Sequence, residues 1–188
     1  PQAATPVDRT AVLQAALIVA LRWLAIALAA QTVAHLLRYV IVVVNRSTPI
    51  PGWLAGTSAV LVIFCGVVAL AGYVYATVVF VRWLISLRHD AHRARGLLDP
   101  RRRWQVIVLG GVPLVNVIGA PLLIREVTDL RTDLDPARTR DRLTRVWVAW
   151  AVVNAVAIVA IITRIVAAGS GSIQTAANAL VAVIVSSA

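Results

Sequence analysis

Few side chains have the types and spacing for chemistry, and they fall in two polar stretches. His89, Asp90 and His92 lie within one helical turn, with the histidines at i and i+3, a spacing that could hold a metal ion on a helix. Arg88, Arg93 and Arg95 surround them, and that positive charge opposes a cation, so a solvated basic face is the stronger expectation. Glu126, Asp129 and Asp133 follow at i, i+3 and i+7 on one helical face. With Asp90 they are the carboxylates that a metal-dependent, lipid-modifying membrane enzyme would need. Pairing with Arg125 and its neighbouring arginines accounts for them more simply. There is no Ser-His-Asp array, phosphate-binding glycine loop or dinucleotide fingerprint. The expectation is a protein that is not an enzyme, with no catalytic, cofactor-binding or metal-ligating residue assigned. The single cysteine, Cys65, sits in an apolar run and reads as a small buried hydrophobe.

The elements that must position these groups are set by an apolar composition. Of 188 residues, 60% are hydrophobic and 14% charged, against about 45–50% and about 25% in ordinary soluble domains. Mean hydropathy is +0.86, which excludes a soluble enzyme. All 18 basic residues are arginine, for a net charge of +10. In so apolar a chain that excess sets membrane orientation rather than binding nucleic acid. The first apolar run, 11–44, is interrupted only by Gln14, Arg22, Gln31, His35 and Arg38. As one helix it would reach about 51 Å, beyond a hydrocarbon core of about 30 Å. A turn containing Pro49, Pro51, Gly52 and Gly56 leads into a second span, 58–87. A basic loop (88–103), an apolar but broken segment (104–124) and a second polar loop (125–142) precede a third span, 143–168. A Gly-Ser linker and a short apolar run, 173–188, follow; the latter reads as a truncated fourth span that continues in a longer natural chain. The expected fold is all-α: one polytopic integral membrane domain, 1–188, with about four transmembrane helices and a re-entrant or kinked segment.

The broken segment carries Gly110, Gly111, Pro113, Asn116, Gly119 and Pro121, too many breakers for an unbroken helix. Irregular backbone at membrane depth survives only when packed in protein or lining a cavity. Counting arginines favours re-entry. If 104–124 crosses, the two sides carry nine and eight arginines. If it dips in and returns, fourteen lie on one side and three (Arg38, Arg46, Arg164) on the other, with Arg22 inside a span. The second arrangement puts the N-terminus and both polar loops in the cytoplasm. Gly110, Gly111, Pro113, Asn116 and Pro121 therefore form the candidate functional break, with Asn116 expected to satisfy freed backbone groups. Asp99-Pro100 and Asp135-Pro136 both read as helix starts, Asp capping and Pro in the first helical position.

Arg22 and Arg38, 16 residues apart, lie about 24 Å apart along a helix, and Arg145 and Arg164 about 28 Å. With Arg82 these read as interface anchors toward lipid headgroups, and Trp23, Trp83, Trp104, Trp147 and Trp150 as an aromatic belt. His35 reads as a hydrogen-bonded interface histidine. Gly72 with Ala76, and Ala151 with Ala155, have the small-xxx-small spacing of close helix contacts, and Asn154 could bond across helices.

Over the stretch Phe80–Ile158 the chain resembles an actinobacterial multi-pass family catalogued as a domain of unknown function. The resemblance rests on Trp83-Leu84, Arg88-His89-Asp90-Ala91, Gly96, Trp104, Pro113-Leu114-Val115-Asn116, Pro121, Glu126, Asp135-Pro136 and the Trp147/Trp150/Asn154 span. It implies the helical membrane architecture and an actinobacterial, mycobacterial-type source, which all-arginine basicity and Ala/Val richness also fit. No cofactor is implied. The functional expectation is a non-catalytic accessory subunit of a larger inner-membrane complex, with an envelope-lipid importer of the mammalian-cell-entry type as a candidate host. Its partners would be membrane lipids and other membrane subunits, not nucleic acid. A small transporter or channel with its site at 110–121 is the alternative, and a metal-dependent lipid enzyme the second alternative.

Overall fold

The computed structural model describes residues 8–131 and 135–170, and within them every regular element is an α-helix. The helices are α1 (Arg9–Val44), α2 (Gly52–Ala94), α3 (Arg103–Gly111), α4 (Val115–Leu130) and α5 (Pro136–Ser170). α1, α2 and the Ala137–Thr163 portion of α5 are long and apolar enough to cross a membrane. Only 6%, 17% and 6% of their most apolar windows are buried within the chain. The apolar run 173–188 lies outside the described residues.

The helices outrun the apolar runs that nucleate them. α2 has 43 residues, about 64 Å, and continues seven residues past the second apolar span. Arg88, His89, Asp90 and His92 are therefore helical rather than part of a loop. α2 stops at Gly96, which has φ +67°. There the Gly96 and Leu97 amides bond back to Arg93 and His92 carbonyls at 3.0 and 2.9 Å, a Schellman closure that favours glycine. The second polar stretch is likewise mostly helical, since α4 runs to Leu130 and α5 starts at Pro136.

The two aspartate-proline pairs diverge. Asp135 caps α5 as its sequence predicts, accepting the Ala137 amide at 3.0 Å, with Pro136 first in the helix. Asp99 does not cap α3, which begins only at Arg103. Both Asp99 oxygens are taken by the Arg88 guanidinium, and the Arg102 amide is met instead by Gln105 Oε1 at 3.0 Å.

The described residues fall into two compact units. One comprises those of Pro1–Arg22 and Val74–Ala151. Its core is Leu84 of α2, Val106 of α3 and Leu123 of α4, with Phe80, Trp83, Ile85, Leu109 and Ile124 packed around them. At its edge the hydroxyls of Thr10 and Ser86 lie 2.7 Å apart, joining α1 to α2. The other unit comprises Trp23–Tyr73 and the described part of Val152–Ala188. There α1 and α2 run antiparallel, with Leu24 against Gly72 and the Gln31 side chain against Gly66.

Candidate functional site

The polar groups that the fold concentrates lie where α2 leaves its apolar run. Val81, Leu84, Arg88 and His92 recur at helical spacing and are all buried, so the face of α2 that enters the core continues through an arginine. Arg88 is 1% exposed. Its Nη2 and Nε donate to Asp99 Oδ1 and Oδ2 at 2.6 and 3.0 Å, and its Nη1 donates to Glu126 Oε2 at 2.7 Å. Arg101 closes the ring, with Nε 2.9 Å from Glu126 Oε2 and Nη2 bonded to Oε1. His92 Nδ1 donates to the Arg88 carbonyl at 2.8 Å. Two guanidiniums thus meet two carboxylates, so no net charge is left. That balance is what permits an arginine in a core.

Both carboxyls are held below their ordinary range. For Asp99, burial alone would push the value up, but hydrogen bonds from Arg88 and the Arg101 amide, with the charges of Arg88 and His92, outweigh it. For Glu126 the Arg101 hydrogen bond dominates, burial opposes it, and Arg88 adds to the lowering. Neither is a proton donor near neutral pH. The arrangement is chemically a clamp: it ties the end of α2 to the base of α3 and to α4. Arg95 adds a second tie, donating to the last carbonyl of α4, that of Leu130, at 2.8 Å.

The helix break expected from Gly110, Gly111, Pro113 and Pro121 is present at 112–114, between α3 and α4. Leu114 turns the chain with φ 69° and ψ −45°, a conformation strained for a residue with a side chain. Gly110 packs on Leu84, Val81 and Phe80, and Gly111 on Val81. Pro113 is exposed and Pro121 half-buried inside α4. Proline brings no N–H, so each leaves the carbonyl four residues earlier without its helical donor. For Pro113 that is Leu109, whose carbonyl lies against the Cα of Gly119. A Cβ there would fall 2.8 Å from Leu109 Cα and closer still to its oxygen, so only glycine fits. For Pro121 it is Val117, whose carbonyl accepts the Trp147 indole N–H at 2.8 Å.

Asn116 does not take that role. It is 6% exposed, its backbone N–H bonds the Val112 carbonyl at 2.9 Å, and its side-chain Oδ1 has no hydrogen-bond partner among the described residues. Trp147 supplies the donor instead, from α5, and is more than a belt residue. Trp83 is half-buried against Phe80, ring centroids 5.9 Å apart.

The remaining residues singled out in the sequence are dispersed. Gly72 meets Leu24 of α1 and Ala76 is buried, whereas Ala151 and Asn154 are half-buried and Ala155 exposed on α5. Arg22 and Arg82 are exposed, Arg38 is half-buried, and Arg145 pairs with Asp141 one turn away. Of Arg164 only the backbone, in α5, is described. His35 is buried, with Nε2 3.2 Å from Gln31 Nε2. Asp90 accepts the Thr10 hydroxyl, Asp129 lies 3.9 Å from Arg125 and 3.5 Å from Arg140, and Asp133 lies outside the described residues. No group of three His, Cys, Asp or Glu placed to hold a metal occurs among the described residues. Arg88, Gly119 and the Trp147–Pro121 pairing were the elements that sequence reasoning missed. The spacing 81, 84, 88, 92 and the i−4 rule for proline were the signals that could have found the first and last.

These features define an all-helical chain, three of whose helices could cross a membrane, built around a broken helical hairpin clamped at its base. Residues 46–188 match the family described as "Domain of unknown function (DUF4328)", and the chain belongs to that family. No curated protein and no solved structure matches it.

Proposed function

We propose that the protein is a non-catalytic accessory subunit of a larger inner-membrane assembly in an actinobacterium, with an envelope-lipid importer of the mammalian-cell-entry type as the candidate host. The observation that carries this reading is the closed Arg88–Asp99–Glu126–Arg101 network. In that network two guanidiniums and two carboxylates neutralise one another, so these four groups serve as a structural tie rather than as an acid, base or nucleophile. The mostly uncovered apolar windows of α1 and α5 offer surface to lipid and to partner helices.

In the proposed topology the N-terminus and the polar segments are cytoplasmic and the α3–α4 hairpin re-enters. Two observations support it. α3 and α4, of 9 and 16 residues, reach about 14 and 24 Å, each short of a bilayer core of about 30 Å. The bond between Arg101 and Glu126 brings both hairpin ends to one level. Re-entry also puts fourteen arginines on the cytoplasmic side against three.

Gentle detergent extraction followed by native mass measurement tests the subunit reading: co-purifying membrane subunits are expected, and a stable lone monomer overturns it. A second reading, a small transporter or channel at the break, is favoured by the buried Asn116 Oδ1, which has no partner among the described residues. It expects a solute flux in proteoliposomes that Asn116→Ala abolishes, and it fails if the wild type carries none.

A further inference from the structure

Beside the clamp, a cleft of about 530 Å³ opens between the first residue of α1, the 82–90 stretch of α2 and the first turn of α3. Two of its charges are already spent: Asp99 on Arg88, and Arg101 on Glu126. What remains in the lining is Arg9, Arg82 and Arg103 against Asp90, which accepts the Thr10 hydroxyl and lies 3.4 Å from the ring of His89, also in the lining. The three arginines make no hydrogen bond or ion pair among the described residues. Arg9 and Arg103 are also the first residues of α1 and α3, so the positive ends of two helices add to the field. Ser86 contributes a hydroxyl to the lining, and Ile85 and Val106 an apolar wall.

We propose that this cleft binds a phosphate group, with Arg9, Arg82 and Arg103 as its ligands. Three guanidiniums brought to one cleft by three helices, and unpaired among the described residues, suit an anion with several oxygens to share among them, as a phosphate has, and repel a cation. An apolar wall beside them suits an amphiphile, so an anionic phospholipid headgroup is the source that the lining favours over free phosphate. The choice of source rests on the membrane placement proposed above; the anion chemistry does not.

The test uses the full chain, purified in neutral detergent and stripped of lipid. Phosphatidylglycerol, phosphatidylcholine or inorganic phosphate is added, and bound species are counted by native mass measurement. Wild type is expected to retain one phosphatidylglycerol and no phosphatidylcholine. Arg82→Gln/Arg103→Gln should retain it about thirty-fold more weakly, equivalent to ~2 kcal/mol at about 1.4 kcal/mol per decade. Arg93→Gln/Arg142→Gln, with the same charge change outside the cleft, should match wild type. Circular dichroism checks that the variants keep their helices, which is expected because Arg82 and Arg103 are exposed. Equal loss in both double variants would reduce the effect to net surface charge and overturn the site, as would equal retention of the two lipids. Phosphate binding that depends on Arg82 and Arg103, without lipid retention, would keep the site and count against the membrane placement instead.

Discussion

The donor that Trp147 lends to α4 can be isolated by a double-mutant cycle. Pro121 deprives the Val117 carbonyl of its i+4 amide, and the Trp147 indole fills the gap at 2.8 Å. Trp147→Phe removes that donor while keeping an aromatic ring. In the Pro121→Ala background the amide of residue 121 is restored and the carbonyl has an internal partner, so the same substitution should cost only the difference in ring size. A hydrogen bond of this kind contributes about 0.5–1.5 kcal/mol, and interhelical bonds in membrane proteins average about 0.6 kcal/mol with an upper range near 1.7. The bond is exposed, so we expect a coupling near that average, about 0.6 kcal/mol. Reversible unfolding in mixed micelles, followed by far-ultraviolet circular dichroism to avoid the altered tryptophan signal, gives the four free energies. Equal costs of Trp147→Phe in both backgrounds would refute the compensation.

Arg88→Met leaves Asp99 without its guanidinium, whereas Glu126 keeps Arg101; by the same unfolding assay it should lose about 3 kcal/mol, and Arg88→Lys should recover less than half because it cannot bind both Asp99 oxygens at once. Asp99 and Glu126 titrate below their ordinary values, so their contribution is complete above the unfolded carboxyl range of about 4 and is lost as pH falls through the lower folded values. The contribution of the clamp should therefore be complete above about pH 5 and fall away below about pH 4, and Glu126→Gln should shrink that acid-side loss. Gly119→Ala drives a Cβ into the backbone of Leu109 and should cost about 2–3 kcal/mol, whereas Gly56→Ala, with nothing within 4 Å, should be neutral or stabilising by up to about 1 kcal/mol.

The sequence showed most where one physical demand acts alone. Long apolar runs must be helices in lipid, and clustered Pro and Gly must break one, so α1, α2, α5 and the break at 112–114 could be read without coordinates. Reading was poorest where two demands compete. The run from Arg88 to Arg103 looks like solvated charge, because hydropathy weighs each residue by type and ignores its helical phase. Phase alone puts Arg88 below Leu84 on the buried face, and only the return of α4 brings Glu126 to meet it. Asp99 carries a good capping signal, yet it keeps only the Arg101 amide, at 3.0 Å, and spends both oxygens on the Arg88 guanidinium, so the helix starts later, at Arg103. Asn116 was assigned to the freed carbonyls because it is the polar residue nearest the prolines in sequence. The donor came from α5 instead, some 30 residues on.

The clamp also bears on how the protein is made. On the proposed placement, the chain between Arg101 and Glu126 leaves and returns on the side where it began, so its assembly moves no arginine through the bilayer. A crossing segment would require the translocation machinery to export the Arg-rich stretch that follows Glu126. With Arg88, Asp99 and Arg101 synthesised first, the hairpin has a finished docking surface waiting when Glu126 emerges from the ribosome. On that placement, insertion of this element would be a folding event against α2 rather than a separate crossing of the bilayer.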